Sequence, residues 1–386
     1  MELDKMKLEE IRNEIDSIDK ELVSLFIRRM KCASEVAEYK KEHGLPVLDA
    51  SRERALLKKV SDLSGDDFEE YTRTLYATIL SLSRSYQHKA KNESEKLYRE
   101  ITDALENTPK IFPERATIAC QGVEGAYSQI AAERLFRAPD IVFFSSWEKV
   151  FSAIEAGMCR YGVIPIENST AGSVKKVYDL MISKNFKIVR SVRVKVDHCI
   201  LTKKGTRLSD ITEIFSHEQA INQCSAFLAS LGSKVKITPV ENTARAAKMV
   251  AESERTDIAA ISSHSCASIY SLDVLVSSAQ DNGNNHTRFI CITNKTEIYP
   301  GADRTSLMIV APHKPGSLYQ ILSRFNALGI NLLKLESRPI PDRDFEFAFY
   351  FDLESSVYSD RLASLLAELE CECDEFTYLG SYSEVI

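Results

Sequence analysis

The sequence has little of what marks membrane, exported, metal-binding or nucleic-acid-binding proteins. No hydrophobic run approaches the ~18 uninterrupted apolar residues of a membrane span, and the N-terminal run MELDKMKLEEIRNEID lacks the apolar core of an export signal. Acidic residues outnumber basic ones by 56 to 49, a net charge of −7, whereas phosphate binding needs a basic excess. The nine cysteines include no CxxC pair that would indicate zinc or a redox centre. We therefore expect a soluble cytoplasmic protein with reduced thiols and no metal.

Glycine and proline are scarce at the start of the chain, where none occurs before Gly44. The 386 residues predict two to three domains. Apolar residues at 3-4-3-4-3 spacing predict one helix over about residues 6–42, ~55 Å long. The residues of this seam are Leu8, Ile11, Ile15, Ile18, Leu22 and Leu25. A helix this long cannot bury the seam within 90 residues, so a partner chain is implied.

The remaining chain divides into segments with different periodicities. Asp49 is a candidate cap for a second helix over about 51–61, and a third helix follows from about Phe68. Residues 88–114 are polar, and we interpret them as a helical linker without an apolar face. We place the domains at 1–90, 115–300 and 301–386, with a linker at 91–114.

Residues 115–300 alternate β-rich and amphipathic runs, which predicts an α/β segment long enough for two lobes and a ligand cleft. Strand candidates are 117–120, 141–144, 161–166, 197–201, 258–261 and 288–292, and helix candidates include 128–136 and 220–231. Residues 304–386 give the ferredoxin-like order β-α-β-β-α-β, joined through Pro300-Gly301.

Arg29 continues the apolar seam of the first helix, and no acidic neighbour on that helix neutralises it. A buried unpaired charge is costly, so an anionic ligand or a partner chain's carboxylate is indicated. Lys40 lies eleven residues on, about 20° away around the helix, and faces the same way. Snorkelling and an inter-chain salt bridge remain alternatives from spacing alone.

Several polar residues lie on the three helices. Each one, taken singly, would be interpreted as a solvent-exposed surface residue. Together they resemble the all-helical chorismate mutase family over about residues 6–90, most specifically in the run PVLDASRERALL from Pro46. The matching residues are Arg12, Arg29, Lys40, Asp49, Arg52, Glu53, Ser83 and Gln87. The resemblance implies an intertwined dimer in which Arg12 of one chain reaches the other chain's site.

The chemistry of that family suits these residue types, because rearrangement of chorismate to prephenate needs no nucleophile. Three arginines (Arg12, Arg29 and Arg52) would hold the two substrate carboxylates. Lys40 and Gln87 would stabilise the negative charge that develops on the breaking ether oxygen. Glu53 would accept from the substrate hydroxyl.

The second segment carries polar turns at predicted strand ends. Taken one at a time, these turns would be interpreted as ordinary turn chemistry. As a set they resemble prephenate dehydratases over about residues 115–295. The matching runs are GVEGAYSQIAA from Gly122, PIENSTAG from Pro165, SHEQAINQC from Ser216, ENTARAA from Glu241 and HTRF from His286. The sequence departs from that family at Val123, where Gly-Pro is usual, and at Ala126, which replaces a hydroxyl residue.

The resemblance implies that prephenate loses carbon dioxide and hydroxide to give phenylpyruvate, a reaction that needs no cofactor. Thr287 would be the catalytic residue, donating a hydrogen bond or proton to the departing hydroxyl. Glu167 is a second candidate acid. Candidate substrate binders are Ser128, Asn168, Thr170, Gln223 and Arg288.

The third segment resembles an ACT regulatory domain, which in these enzymes binds L-phenylalanine between two such domains. A glycine before a helix N-terminus offers free N–H groups to a carboxylate. The supporting residues are Gly316, Ser317 and Leu318 at that helix, and Glu336, Ser337 and Arg338 on the next strand.

The order of the three segments resembles the bifunctional chorismate mutase–prephenate dehydratases, with phenylalanine feedback and a homodimer or higher oligomer. No GxGxxG occurs, which excludes the pairing of the mutase with a dehydrogenase. Two alternatives remain: a phenylalanine-sensing protein with inactive sites, and a solute-binding protein built from the two-lobed segment.

Overall fold

The computed structural model describes residues 2–90, 95–340 and 346–385. The chain begins with four helices: α1 (Glu2–Glu42), α2 (Ala50–Ser64), α3 (Glu69–Ala90) and α4 (Glu95–Asn107). The predicted long first helix is confirmed, and Asp49 caps α2 by accepting from the Arg52 backbone N–H at 2.9 Å. The helix ends before Gly44, whose φ of +66° lies in the left-handed region that favours glycine.

The apolar seam of α1 is uncovered in a single chain. Its six members are each about half exposed, from 47% at Leu8 to 54% at Leu22 and Leu25. α3 adds Phe68 and Tyr71 just before and within its first turns, exposed by 64% and 74%. A continuous apolar surface of this length is typical of an interaction face.

The interpretation of residues 88–114 as a linker without an apolar face was wrong where the structure describes it. α4 buries Leu97, Ile101 and Ala104 in the core of the C-terminal segment. Their spacing of four and three residues is an amphipathic stripe that the many charged neighbours obscured. Residues 91–94 of the proposed linker lie outside the described residues.

The central segment alternates strands and helices as predicted. Its elements are β1 (Thr117–Gln121), α5 (Tyr127–Leu135), β2 (Asp140–Phe144), α6 (Trp147–Glu155), β3 (Tyr161–Asn168), β4 (Gly172–Ser173), α7 (Lys175–Ser183), β5 (Lys187–Lys195), β6 (Cys199–Thr202), β7 (Glu213–Ser216), α8 (Glu218–Gln223), α9 (Ser225–Ser230), β8 (Lys236–Pro239), α10 (Thr243–Glu252), β9 (Ile258–Ser262), α11 (His264–Ile269), β10 (Asp273–Val276) and β11 (His286–Thr293). The helix predicted over 220–231 is two short helices that meet at Cys224.

These elements form two lobes. One sheet runs β2-β1-β3-β11-β5, and the other runs β10-β6-β9-β7-β8. β5 and β11 are neighbouring antiparallel strands of the first sheet, and the last residue of β5 pairs with the first residue of β11. The chain leaves for the second lobe after β5 and returns from it into β11 at this same end. The chain thus crosses twice between the lobes, an arrangement that leaves a cleft between two rigid bodies.

The C-terminal segment has the predicted ferredoxin-like order. Its elements are β12 (Arg304–Val310), α12 (Ser317–Ala327), β13 (Asn331–Pro339), β14 (Phe347–Glu354), α13 (Asp360–Glu372) and β15 (Glu375–Val385). The strand predicted to begin at Phe345 starts outside the described residues. The sheet order is β13-β14-β12-β15, and the end of β15 pairs in parallel with β5, so this sheet continues into that of the first lobe. Among the described residues, no helix is long and apolar enough to cross a membrane.

Candidate active sites

The cleft between the two lobes brings together polar side chains from β3, β11 and the helix starts of both lobes. Asn168 lies opposite Thr287 in the β3–β11 register, and the Asn168 Nδ2 group donates to Thr287 Oγ1 at 2.9 Å. The two residues line a cavity of about 490 Å³. Two residues that were singled out in separate sequence motifs are therefore in direct contact.

The orientation of the Asn168 amide is fixed by its neighbours. Its Oδ1 atom accepts from the backbone N–H groups of Thr170 at 3.0 Å and Ala171 at 2.9 Å. Its Nδ2 group also donates to Asn285 Oδ1 at 2.8 Å. Because the amide oxygen already accepts two bonds, the amide nitrogen is the atom presented to Thr287.

The Thr287 Oγ1 atom accepts a hydrogen bond from Asn168. The hydrogen atom of the Thr287 hydroxyl is not donated to any of the described residues. A hydroxyl carries one donor and two acceptor sites. The Thr287 hydrogen is therefore available to a ligand in the cleft. The side chain is half-buried and lines the cleft cavity.

Three other predicted binders lie at this cleft, but each is engaged differently. Ser128 Oγ is buried and donates to the Gln121 carbonyl at 2.8 Å. Gln223 Oε1 lies 3.0 Å from Nε2 of His198. Thr170 is exposed at the rim of an adjoining cavity. Ser128 and Gln223 thus line the cleft cavity, and Thr170 lines the adjoining one.

The sequence analysis missed His198 and Trp147, which both line the cleft. His198 is 2% exposed, and burial lowers the pKa of its imidazole, which keeps the ring neutral near pH ~7. The Trp147 Nε1–H is buried and finds no hydrogen-bond partner in the described part of the chain. A buried orphan donor beside a cleft is a signal that only coordinates reveal.

Arg288, a predicted substrate binder, lines a different cavity from Thr287, and its contact with substrate stays a prediction. Its guanidinium points to the opposite face of β11 and forms an ion pair with Asp352 of β14. Glu167, the second candidate acid, lies on the same far face, where it pairs with Lys334. The reason is strand alternation: neighbours of Thr287 and Asn168 along each strand must face away from the cleft.

The predicted mutase residues lie on α1, α2 and α3, and a single chain leaves several of them unsatisfied. The Nη1 atom of Arg29 and the Oε1 atom of Gln87 are buried and have no hydrogen-bond partner among the residues that the structure describes. Gln87 Nε2 makes one long bond of 3.5 Å to Ser83 Oγ. Buried polar atoms without partners on facing helices are typical of a binding site.

The other mutase candidates are placed as follows. Lys40 Nζ donates to the Val47 carbonyl at 2.6 Å, while Asp49 serves as the α2 cap. Glu53 is bound by Arg84 at 2.6 and 2.7 Å. Arg12 and Arg52 are exposed. The cap explains Asp49 without any catalytic role.

The predicted effector residues do not share one pocket in a single chain. Gly316 has φ +83° and begins α12, and the Ser317 hydroxyl there is buried without a partner. Glu336 instead bonds Ser173, and Arg338 bonds Asp179 at 2.9 Å, both in the first lobe. Leu318 packs partly buried in the C-terminal core, and Ser337 is exposed.

Two family models match the chain. Residues 118–297 match prephenate dehydratase, and residues 11–88 match chorismate mutase type II. A bifunctional chorismate mutase/prephenate dehydratase of Aquifex aeolicus (strain VF5) is 29% identical over 98% of this chain and 99% of its own length. Arogenate dehydratase 2 of Petunia hybrida is 33% identical over 77% of this chain and 79% of its own.

A solved structure of prephenate dehydratase from Arthrobacter aurescens, in complex with L-Phe, matches with a TM-score of 0.63. It is 27% identical and covers 69% of this chain and 90% of its own. The chain therefore belongs to the prephenate dehydratase family. With its helical segment, it is a bifunctional chorismate mutase and prephenate dehydratase that serves phenylalanine biosynthesis.

Proposed function

We propose that the lyase reaction takes place in the inter-lobe cleft, with Thr287 as the donor to the leaving hydroxyl of prephenate. The observation that carries this proposal is the free Thr287 hydrogen beside the fixed Asn168 amide. In the reaction, the bond to the ring carboxylate breaks and carbon dioxide leaves. Its electron pair aromatises the ring as the hydroxyl departs, and the hydroxyl is protonated to water.

Asn168 makes Thr287 a better donor by donating to its oxygen, since hydrogen bonds in a chain polarise one another. The neutral His198 and the Trp147 N–H add polar contacts without a second charge. The cleft thus favours a group that becomes more negative as the C–O bond breaks, which stabilises the transition state more than the ground state.

Two substitutions at one position test this role. Thr287→Ala should reduce phenylpyruvate formation from prephenate by about 100-fold or more. Thr287→Ser keeps the hydroxyl and should retain measurable activity. Quenching of the fluorescence of Trp147, the one tryptophan of the sequence, reports prephenate binding independently of turnover. Native turnover in Thr287→Ala would assign the donor to another group.

Arogenate is the second candidate substrate, since similar proteins carry that name. It differs from prephenate by an amino group in place of the side-chain keto oxygen. The mutase segment of this chain makes prephenate itself, which favours prephenate. Comparison of kcat/KM for the two substrates with the same enzyme decides between them.

The mutase site is proposed to be completed by a second copy of the chain. The uncovered α1 seam and the orphan atoms of Arg29 and Gln87 support an intertwined helical dimer. In it, Arg12 crosses to the other subunit's site, while Arg29, Lys40, Arg52, Glu53, Ser83 and Gln87 come from the first. Glu53 would then exchange its contact with Arg84 for the substrate hydroxyl.

A charge placed in the seam tests this arrangement. Ile18→Glu should give monomers and abolish mutase activity while the dehydratase still converts added prephenate. Lys20→Glu is the control, because Lys20 lies on the opposite side of the same helix. Sedimentation and both assays are the measurements. Full mutase activity in a monomeric Ile18→Glu protein would contradict the dimer.

We further propose that the C-terminal segment is an ACT domain that binds L-phenylalanine across two copies and inhibits the dehydratase. Support comes from its ferredoxin-like order, the buried orphan Ser317 hydroxyl and the L-Phe complex of the Arthrobacter protein. The separation of Gly316 from Glu336 within one chain favours a pocket formed between two. Inhibition requires that phenylalanine bind the less active state more tightly.

Two glycines with nearly the same backbone provide a matched test of the effector site. Gly316→Ala should weaken phenylalanine inhibition. The new methyl group would take up open space beside the helix N-terminus, where the ligand carboxylate would bind. Gly301→Ala is the control, since both positions have φ near +85° and open space around them. Equal inhibition in both variants would place the effector elsewhere.

The nine free cysteines support a reducing, cytoplasmic location.

A further inference from the structure

The two strands that carry the dehydratase site present a second set of residues on their far side. Thr287 faces Asn168 across β11 and β3, and the next pair in the register is Arg288 opposite Glu167. The first pair lines the cleft, and the second pair lines a separate, highly charged cavity of about 770 Å³. A β-bulge follows directly after Arg288 in this register. Bulges re-aim side chains, so the strand geometry at Thr287 depends on what holds Arg288.

Arg288 is held by the C-terminal sheet. It is 7% exposed and forms an ion pair with Asp352, which is 1% exposed. Asp352 is itself fixed by hydroxyl groups, accepting from Ser306 and from Tyr350 at 2.7 Å. A buried carboxylate with this many donors has one orientation, and so does the guanidinium that binds it.

Glu167 is anchored in the same way from the neighbouring strand. Its carboxylate lies 3.1 Å from Lys334 Nζ on β13. Lys334 is in turn 3.1 Å from Glu336 and 2.6 Å from Ser173 Oγ. Both catalytic strands are therefore tied at their far faces to adjacent strands of the C-terminal domain.

We propose that Arg288, through its ion pair with Asp352, is a positioning residue for Thr287. The pair fixes the twist of β11 at the bulge and thereby the direction of the Thr287 hydroxyl toward the substrate. Glu167 and Lys334 do the same for β3 and Asn168. This inference rests on the proposed role of Thr287, and it gives Arg288 a role other than contact with prephenate.

The direct test is Asp352→Asn in the full chain, which keeps the shape of the side chain and removes its charge. Dehydratase kcat should fall by about ten- to a hundred-fold with little change in KM, because the substrate still binds but the donor is misdirected. Mutase kcat should stay at the native value. Glu384→Gln is the control: it removes another buried carboxylate of the same cavity, paired with Arg304 and Arg193, and should leave kcat within about two-fold.

A merely structural effect is separated by a double-variant comparison at Thr287. The same substitution is made in the Thr287→Ala background, where the hydroxyl is gone. If Asp352 acts through the direction of the hydroxyl, the substitution should cost little further activity there, so the combined loss should be smaller than the product of the two single losses. Multiplicative losses would show that the carboxylate acts independently of Thr287 and would overturn the inference. If Asp352→Asn fails to fold, Lys334→Gln is tested instead, because Lys334 holds Glu167 of β3. The same fall in kcat is expected.

The failure of this inference is distinguishable from that of the proposed function. If Thr287→Ala is inactive but Asp352→Asn and Lys334→Gln both match Glu384→Gln, the positioning role is wrong and the catalytic role of Thr287 stands. If Thr287→Ala is fully active, the proposed function itself fails. A rise in KM with kcat unchanged in Asp352→Asn would also overturn positioning, because it would indicate a binding role.

Discussion

At the scale of single residues, the departures of this chain from its family have local physical consequences. Ala126 occupies the N-cap position of α5 with extended backbone angles of φ −65° and ψ 152°, and no side chain caps the helix. A hydroxyl there would accept from a free backbone N–H of the first turn. The departure noted in the sequence therefore affects helix α5 beside the cleft.

Ala126→Ser should restore the cap and raise the free energy of unfolding by about 1 kcal/mol. Chemical denaturation followed by circular dichroism is the measurement. Ala138→Ser is the control, because Ala138 is exposed and outside any helix N-cap, and it should change stability by less than about 0.5 kcal/mol. A destabilised Ala126→Ser protein would mean that the buried site has no room for the oxygen.

His198 should make stability depend on pH. Burial lowers its pKa, so the folded protein keeps the ring neutral where the unfolded chain, with a pKa of ~6.5, takes up a proton. The unfolded state then binds more protons, and the free energy of unfolding falls as the pH drops below about 6.5.

Between about pH 7.5 and about pH 5.5, native protein should therefore lose more stability than His198→Asn. Thermal unfolding at several pH values measures this difference. The exposed His43→Asn variant should follow the native curve. Parallel curves for the native and His198→Asn proteins would show that this histidine does not contribute.

The sequence identified Thr287 and Asn168 because short motifs carried them, and the structure brings them into contact. It grouped Arg288 and Glu167 with them, although period-two alternation places these two residues on the opposite face of their strands. His198 and Trp147 stand outside the motifs that were singled out. Their place in the cleft depends on the packing of two lobes that no local pattern specifies.

At the scale of elements, the long helices and the ferredoxin-like order followed from periodicity, whereas β5 and the apolar face of α4 did not. β5 reads KIVRSVRVK, and its arginines and lysines hide a strand that is largely buried. Its charges are matched by tertiary partners, such as the carbonyl of Tyr378 that accepts from Lys187. Propensity reads local sequence and is overridden by such distant partners.

The junction of β15 with β5 depends on Gly380. Its φ is +130°, and a Cβ atom there would lie 2.4 Å from the Ile188 carbonyl oxygen. Both the backbone conformation and the close approach exclude other residues. The strand can pass from the C-terminal sheet to the first lobe only because this position has no side chain.

Gly380→Ala should therefore destabilise the protein by more than about 2 kcal/mol, measured by chemical denaturation. Gly232→Ala separates strain from collision, since Gly232 also has positive φ but open space around it. Its cost should be about 1 kcal/mol. Equal costs would show that the backbone at Ile188 yields to the methyl group.

At the scale of the whole molecule, the C-terminal segment contacts both catalytic parts. Arg324 of α12 is buried and bonds Glu372 at 2.7 Å and Ser81 of α3 at 3.3 Å. Asp352 holds β11 on the other side. The segment order along the chain predicted three parts, but it did not show that the third joins the other two. That arrangement arises from buried polar contacts between residues that lie 64 and 243 positions apart in the chain.

The central claim is that one chain carries two independent active sites, and complementation between two variants tests it most directly. Arg29→Ala should leave chorismate unconverted but turn over added prephenate, with a loss of about 3 kcal/mol or more in transition-state binding at the mutase site. Thr287→Ala should accumulate prephenate from chorismate. A mixture of the two variants, supplied with chorismate alone, should then form phenylpyruvate. If Arg29→Ala also loses dehydratase activity, or Thr287→Ala also loses mutase activity, while both remain folded, the assignment of the two reactions to separate sites is contradicted.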